Sequence, residues 1–231
     1  MKIANTILGQ FIPKICPICL DQIITDNYFC PDCTSNLSFI KSNRCNSCGG
    51  NLDLILDICS KCLKEEAFPW EQALSVIELK GYANEIIQNL KYNNRIDFIP
   101  FIGRMASDII LKDKLKFDYI IPIPLHKIKK FIRGFNQSYL ISESISKTVD
   151  IPCKEWLIRK KYTISQTKLS SKRRRTNIIN VFSSSKRAII KNKDILLVDD
   201  VMTTGSTLRS AANALLEAGA KQISILVIAR R

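Results

Sequence analysis

The 231-residue sequence predicts an α/β fold, a parallel sheet with flanking helices, preceded by a small cysteine-rich module. Three observations carry this. From residue 73 onward, short continuous apolar runs alternate with segments of helical periodicity, the pattern of strands buried on both faces. Eight of the nine cysteines lie between Cys16 and Cys62, all in CxxC pairs. The net charge of +14 falls entirely on residues 66–231, while residues 1–65 hold six basic and six acidic side chains.

The first module is read from its sulfurs. The pairs are Cys16/Cys19, Cys30/Cys33, Cys45/Cys48 and Cys59/Cys62, separated by ten, eleven and ten residues. That near-regularity marks an internal duplication, two knuckle pairs making one ribbon and the ribbon occurring twice. Four thiolates satisfy a tetrahedral Zn²⁺. Two structural zinc sites are therefore expected, paired first four and last four, because each half then closes a short loop. So few apolar residues accompany the cysteines that metal binding must supply folding energy directly. With no secretion signal in Met1–Pro13, disulfides are not expected and the expected compartment is the cytoplasm. No apolar run approaches the roughly 20 residues of a membrane span. The boundaries are set at 1–65 for the double ribbon and 66–231 for the α/β domain.

After Phe68-Pro69-Trp70, residues 73–80 (ALSVIELK) read as a strand ended by Gly81, and 82–92 as a helix. Residues 98–111 read as a second helix and 117–125 (FDYIIPIPL) as a buried strand ended by prolines. Residues 126–130 are taken as a basic loop, and 135–149 as a helix. DILLVDDV (194–201) is a strand, 205–219 an amphipathic helix stopped by Gly219, and QISILVIA (222–229) a final buried strand.

The richest chemistry lies in Ile195–Thr207, ILLVDDVMTTGST. An apolar strand ends in two carboxylates, Asp199 and Asp200. Thr203, Thr204, Gly205, Ser206 and Thr207 follow, and then a helix begins. Free backbone amides at a positive helix end, on the carboxyl edge of a parallel sheet, make an anion cradle suited to a phosphate. The carboxylates are placed to accept hydrogen bonds from sugar hydroxyls, so phosphate and diol together describe a ribose 5-phosphate site. A Walker A loop is excluded by the missing Gly-Lys-Ser/Thr ending. Residues 127–193 hold 18 basic and three acidic side chains, an excess that points to an anionic partner, phosphate or nucleic acid. Within it, Lys172, Arg173, Arg174 and Arg175 form a basic run suited either to a flap over the site or to a nucleic-acid backbone. His126 and Cys153 are left without an assigned role.

These thirteen residues also match the phosphoribosyl diphosphate motif of type I phosphoribosyltransferases. The match implies that Asp199 and Asp200 bind the ribose hydroxyls, directly or with Mg²⁺, and that residues 203–207 hold the 5′-phosphate. It also implies that the segment after the IPIPL strand faces the diphosphate, with Lys127, Lys129, Lys130 and Arg133 as candidates to neutralise it. IPIPL, then RGFNQ at 133–137, then Gln166, Leu169, Arg174, Asn177 and Phe182, then VDDVMTTGST, behind four CxxC pairs, resembles the ComF family over residues 16–231. That resemblance implies a role in natural transformation and DNA uptake, in handling incoming single-stranded DNA on the cytoplasmic side with other competence proteins. It leaves two readings open: a phosphoribosyltransferase of unidentified acceptor, or a non-catalytic single-stranded DNA-binding protein that keeps the phosphoribosyl diphosphate site for a ligand.

Overall fold

The computed structural model describes residues 14–23, 28–52, 56–160, 181–184 and 187–231. Its centre is a four-stranded parallel sheet, β3 (Gln72–Glu78), β4 (Tyr119–Pro122), β7 (Asp194–Met202) and β8 (Gln222–Arg230), in the order β3-β8-β7-β4. The two central strands are buried on both faces, which is why their sequences are apolar without alternation. Pro152–Lys154 lie along the free side of β4, with the Ile120 amide donating to Pro152 O (3.0 Å) and the Lys154 amide to Ile120 O (2.9 Å). That places Cys153 in a parallel bridge to Ile120, where burial pushes its thiol up to about 12.

Odd and even strand residues feed two separate hydrophobic layers. On one face Leu196, Val198, Leu226 and Ile228 pack under α3 (Tyr82–Tyr92), α4 (Ile99–Lys112) and α6 (Gln137–Val149). Gly103 lets α4 and α6 approach closely; a Cβ there would lie 2.1 Å from Ser144 Oγ. On the other face Ile195, Leu197, Ile225 and Val227 pack under α7 (Arg187–Ile190), α8 (Ser206–Glu217) and the antiparallel pair β5 (Leu157–Arg159) and β6 (Phe182–Ser184). Each fully buried aliphatic side chain contributes roughly 1.5–3 kcal/mol.

The cysteine module straddles the β3 edge. Ser38–Ile40 run antiparallel to β3, with the Ile40 amide donating to Val76 O (2.9 Å) and the Glu78 amide to Ser38 O (2.8 Å), so that edge is covered. The first half, with the hairpin β1 (Lys14–Ile15)–β2 (Gln22–Ile23) and α1 (Pro31–Ser35), joins the α3/α4/α6 layer through Cys16, Phe29, Cys30 and Cys33. The second half, with α2 (Ser60–Leu63), joins the α8 layer through Cys45, Cys48 and Cys62. The Arg44–Asp113 ion pair, part-buried, ties the second half to the end of α4.

Two expected elements differ. The strand foreseen over 117–125 is a strand only over Tyr119–Pro122, with a last bond to β7 from the Ile123 amide; Ile120 bonds to Pro152 and Lys154, so prolines 122 and 124, in phase with it, carry no amide to extend the bonding on that side. The segment foreseen as a basic loop is a helix, α5 (Lys127–Arg133). His126 Nδ1 caps it by accepting from the Ile128 amide (3.3 Å), and Gly134 ends it in the left-handed region at φ 78°. Its apolar residues Ile128, Phe131 and Ile132 face solvent, so the usual buried stripe gives no signal there.

Candidate functional site

The eight thiols of the CxxC pairs form two clusters, Cys16/Cys19/Cys30/Cys33 and Cys45/Cys48/Cys59/Cys62, with sulfurs within 4.8 Å of one another in each. The sequential pairing expected from loop length is the one found. Sulfur–sulfur separations of 3.4 Å (Cys19–Cys30) and 3.9 Å (Cys48–Cys59) bracket the ~3.8 Å edge of a tetrahedron with ~2.3 Å Zn–S bonds. Backbone amides face the sulfurs, from Cys33 to Cys30 Sγ (3.4 Å) and from Cys59 to Cys45 Sγ (3.3 Å). In the bare protein, burial and then the adjacent sulfurs push the Cys33 and Cys62 thiols up, a penalty that a dication reverses. The clusters are two Cys₄ zinc-binding sites.

A cleft of about 330 Å³ opens on the carboxyl edge of the sheet. Its origin is the early end of β4. The last bond to β4's side comes from the Ile123 amide to Val198 O (2.8 Å), whereas β7 continues beside β8 to the Met202–Arg230 pair. Asp199 and Asp200 thus sit on a stretch of β7 with one neighbouring strand and one open side. The chain leaving β4 returns around that opening as α5 and α6. Ile123, Lys129 and Arg133, then Gln137 and Ser138, line it opposite the carboxylates.

The acidic pair is held from several directions. Ser138 Oγ donates to Asp199 Oδ1 (2.8 Å), and the Asp200 amide donates to the same oxygen (2.9 Å). Lys91 Nζ, from the last turn of α3, pairs with Asp200 Oδ2 at 3.0 Å. Among the described residues, the second oxygen of each carboxylate has no protein donor. Burial, and then the adjacent Asp200 carboxylate, push Asp199 up to about 7. Four cations surround the pair: Lys91, Lys129, Arg133 and Arg159 all line the cleft. Burial and then the charges of Arg159, Arg133 and Lys91 hold the Lys129 ammonium below its ordinary value. Such crowding of like charge around a wet cleft favours a multiply charged anion.

The loop after β7 delivers the second half of the site. Thr203 and Thr207 line the cleft. Thr204 Oγ1 donates to Ser206 Oγ (3.1 Å), and Gly205 takes φ 73° at the head of the twelve-residue α8. A side chain at Gly205 would strike the wall behind the loop, since a Cβ would lie 2.7 Å from Met202 Cε and 3.0 Å from Phe68 Cε1.

The structure therefore brings together Asp199, Asp200, Thr203, Thr207 and Arg133, with Gly205, Thr204 and Ser206 forming the turn between them. Lys127 and Lys130 point to solvent; on helical α5 only positions 129 and 133, four apart, share the face toward the cleft. Gln166, Leu169, Lys172, Arg173, Arg174, Arg175 and Asn177 lie outside the described residues. Lys91, Gln137, Ser138 and Arg159 enter the site from α3, α6 and β5. Ser138 directly follows the RGFNQ run, which was the one local hint of it; Lys91 and Arg159 carry none.

Residues 133–231 match the phosphoribosyl transferase domain model, and residues 7–63 match the double zinc ribbon domain model. Competence protein F of Haemophilus influenzae is 31% identical over 227 residues, covering 88% of this chain and 97% of that protein. The chain belongs to the ComF family. Its ComF relatives include competence protein ComFC of Bacillus subtilis, 28% identical over 218 residues (91% of this chain, 87% of the relative). The DNA utilization protein YhgH of Escherichia coli K12 is 27% identical over 222 residues (94% of this chain, 90% of the relative). The fold expected from the sequence, a phosphoribosyltransferase-like sheet behind a double zinc ribbon, is the fold of this ComF chain. No helix among the described residues is long and apolar enough to cross a membrane.

Proposed function

We propose that this ComF-family protein binds 5-phosphoribosyl 1-diphosphate in the cleft and transfers its phosphoribosyl group to a nitrogen acceptor in the service of DNA utilization. The observation that supports this is the convergence of three things on one cleft: an acidic pair, a hydroxyl-rich loop at a helix head, and four cations. The loop 203–207 would hold the 5′-phosphate. Asp199 and Asp200 would accept from the 2′- and 3′-hydroxyls. Lys129, Arg133 and Arg159 would face the diphosphate. In the step, the C1′–O bond to diphosphate breaks as a C1′–N bond forms, diphosphate leaves as an anion, and the acceptor's N–H proton passes to solvent. The cations lie where leaving-group charge develops, as electrostatic stabilisation of that step requires.

Mg²⁺ fits the donor set. It favours one or two carboxylates plus substrate oxygens over an all-protein cage, and among the described residues each aspartate has one oxygen without a donor. When bound, it would neutralise diphosphate charge.

The test is titration calorimetry of phosphoribosyl diphosphate with Mg²⁺. Micromolar binding is expected for the wild type, weakened by at least ~100-fold in Asp199→Ala/Asp200→Ala, since two charge-assisted contacts go. A folded, zinc-loaded wild type that shows no heat with this ligand sinks the proposal. Lys91 gives a sharper check. It now neutralises Asp200, so Lys91→Met is expected to tighten Mn²⁺ binding (by paramagnetic resonance) and to weaken inorganic diphosphate binding, each by about tenfold for the lost ion pair. Changes of the same sign would contradict its placement between the two charges.

The second reading, single-stranded DNA binding without transfer, is favoured by the excess of 15 positive charges over residues 127–193. It requires affinity that falls steeply with salt through counterion release. If DNA binding is also unmoved by Asp199→Ala, the nucleic-acid surface is separate from the cleft.

A further inference from the structure

The loop read above as a phosphate cradle is braced from behind by the second zinc ribbon. Two consecutive carbonyls of the Cys45–Cys48 knuckle each receive one side chain from the α/β body. Trp70 Nε1 donates to Ser47 O (2.9 Å), and Arg230 Nε donates to Cys48 O (2.8 Å). Both donors also reach the loop. Arg230 Nη1 donates to Thr203 O (3.4 Å), and the Arg231 amide donates to Met202 O (3.1 Å). The Trp70 ring backs Gly205: a Cβ there would lie 3.5 Å from its Cη2.

A stack completes the connection. Phe68 lies on Trp70 with ring centroids 4.4 Å apart, and the Arg209 guanidinium lies 4.5 Å over Phe68. Arg209 also donates to Ala67 O (2.7 Å) and Glu66 O (3.0 Å), while its amide donates to Gly205 O (2.8 Å). The knuckle, the segment 66–70, the last strand and the first turn of α8 are thus one packed body, with Trp70 itself buried.

The first ribbon is attached elsewhere. Its contacts run to α4 and the turn before it: Phe29 stacks on Phe101, the Arg104 guanidinium lies over Tyr28, and Arg95 donates to Pro17 O. Among the described residues none of these contacts touches 203–207.

A CxxC knuckle keeps its shape because its thiolates share one cation, and without it four crowded sulfurs push apart. The carbonyls of Ser47 and Cys48 then lose their positions, and Trp70 and Arg230 lose their anchors. We propose that the second Cys₄ site is a positioning element of the phosphate loop, with Arg230 and Trp70 as positioning residues, so that zinc at that site sets the affinity for the phosphorylated ligand. Zinc at the first site does not. The proposal rests on the phosphoribosyl diphosphate reading for its ligand but not for its mechanical part.

The test separates the two. Hydrogen exchange of the amides at 203–209 is followed in the full-length, zinc-loaded protein and in Arg230→Met, with zinc content and phosphoribosyl diphosphate affinity measured on the same samples. Arg230→Met is expected to keep two zinc ions per chain and unchanged protection in β7 and β8. Its loop amides should exchange about tenfold faster, and its ligand affinity should fall about tenfold, the effect of losing hydrogen bonds from a charged donor. Trp70→Phe, which keeps the ring and removes the N–H, should move both quantities in the same direction. Cys59→Ser should move them further, while Cys19→Ser, at the first site, should leave the loop's exchange as it is. Loop exchange unchanged in Arg230→Met and in Cys59→Ser overturns the coupling. Loop exchange that responds in a wild type that does not bind phosphoribosyl diphosphate supports the coupling and refutes only the ligand.

Discussion

Stripping both zinc ions with a strong chelator is expected to unfold the double ribbon and lower the melting temperature of the whole chain. Structural zinc in finger-like peptides is worth about 10–16 kcal/mol per site. The cysteines sit at the centre of each ribbon, with Cys16 and Cys45 fully buried, so four unbonded thiols would be left facing one another there. The loss spreads to the α/β domain. Ser38–Ile40 leave the β3 edge, and both hydrophobic layers lose residues that belong to them. If only ~5 kcal/mol of this reaches the shared core, the melting temperature should fall by roughly 10–20 °C. The exposed edge of β3 should make the product aggregate. Zinc content and calorimetry on one sample decide it: a zinc-free chain melting where the native one does would mean that the ribbons are appendages of an independent domain.

Gly205→Ala carries the second largest expected effect, and it joins stability to function. At φ 73° any L side chain sits in the left-handed region at about 1–2 kcal/mol. The new methyl also meets Met202 Cε at 2.7 Å and Phe68 Cε1 at 3.0 Å, overpacking that adds about 1–3 kcal/mol. A total near 3 kcal/mol predicts a melting temperature lower by roughly 6–12 °C. The strain is relieved by moving the loop away from Phe68, so binding of phosphoribosyl diphosphate should be lost as well. Gly134→Ala is the control. Its φ is 78° but nothing lies within 4 Å of the added methyl, so only the backbone penalty of about 1–2 kcal/mol applies. Equal losses in the two variants would show that Gly205 answers to backbone conformation alone and not to the wall behind the loop.

Much of this protein is legible in one dimension because its governing constraints are local. Thiolates three residues apart are placed to share a metal, so the CxxC spacing names the zinc sites and loop length names their pairing. Strands buried on both faces are apolar at nearly every position, so ILLV and ISILVIA, broken only by Ser224, declare a parallel sheet. A strand end, a glycine and a helix start follow one another in sequence order, so the turn over residues 199–207 declares itself. Helix α5 escaped because its apolar residues face solvent, which removes the periodicity that announces a buried helix. For the same reason Lys127 stood out as readily as Lys129, although only a helical turn aims position 129 at the cleft.

What tertiary structure alone decided is which distant side chains meet. Lys91 on α3 reaches Asp200, and Arg159 on β5 lines the same cleft, because β4 ends early and leaves one side of β7 open to the elements around it. Ser138 orients Asp199 from 61 residues away in the chain. The two ribbons, equivalent by spacing, are made inequivalent by the sheet edge they straddle: one is fastened to α4, the other to the loop 203–207 through Trp70 and Arg230. Sequence spacing records what a few neighbouring residues must do together. It holds no record of contacts made across a sheet, because those depend on where strands end and on which face each helix returns.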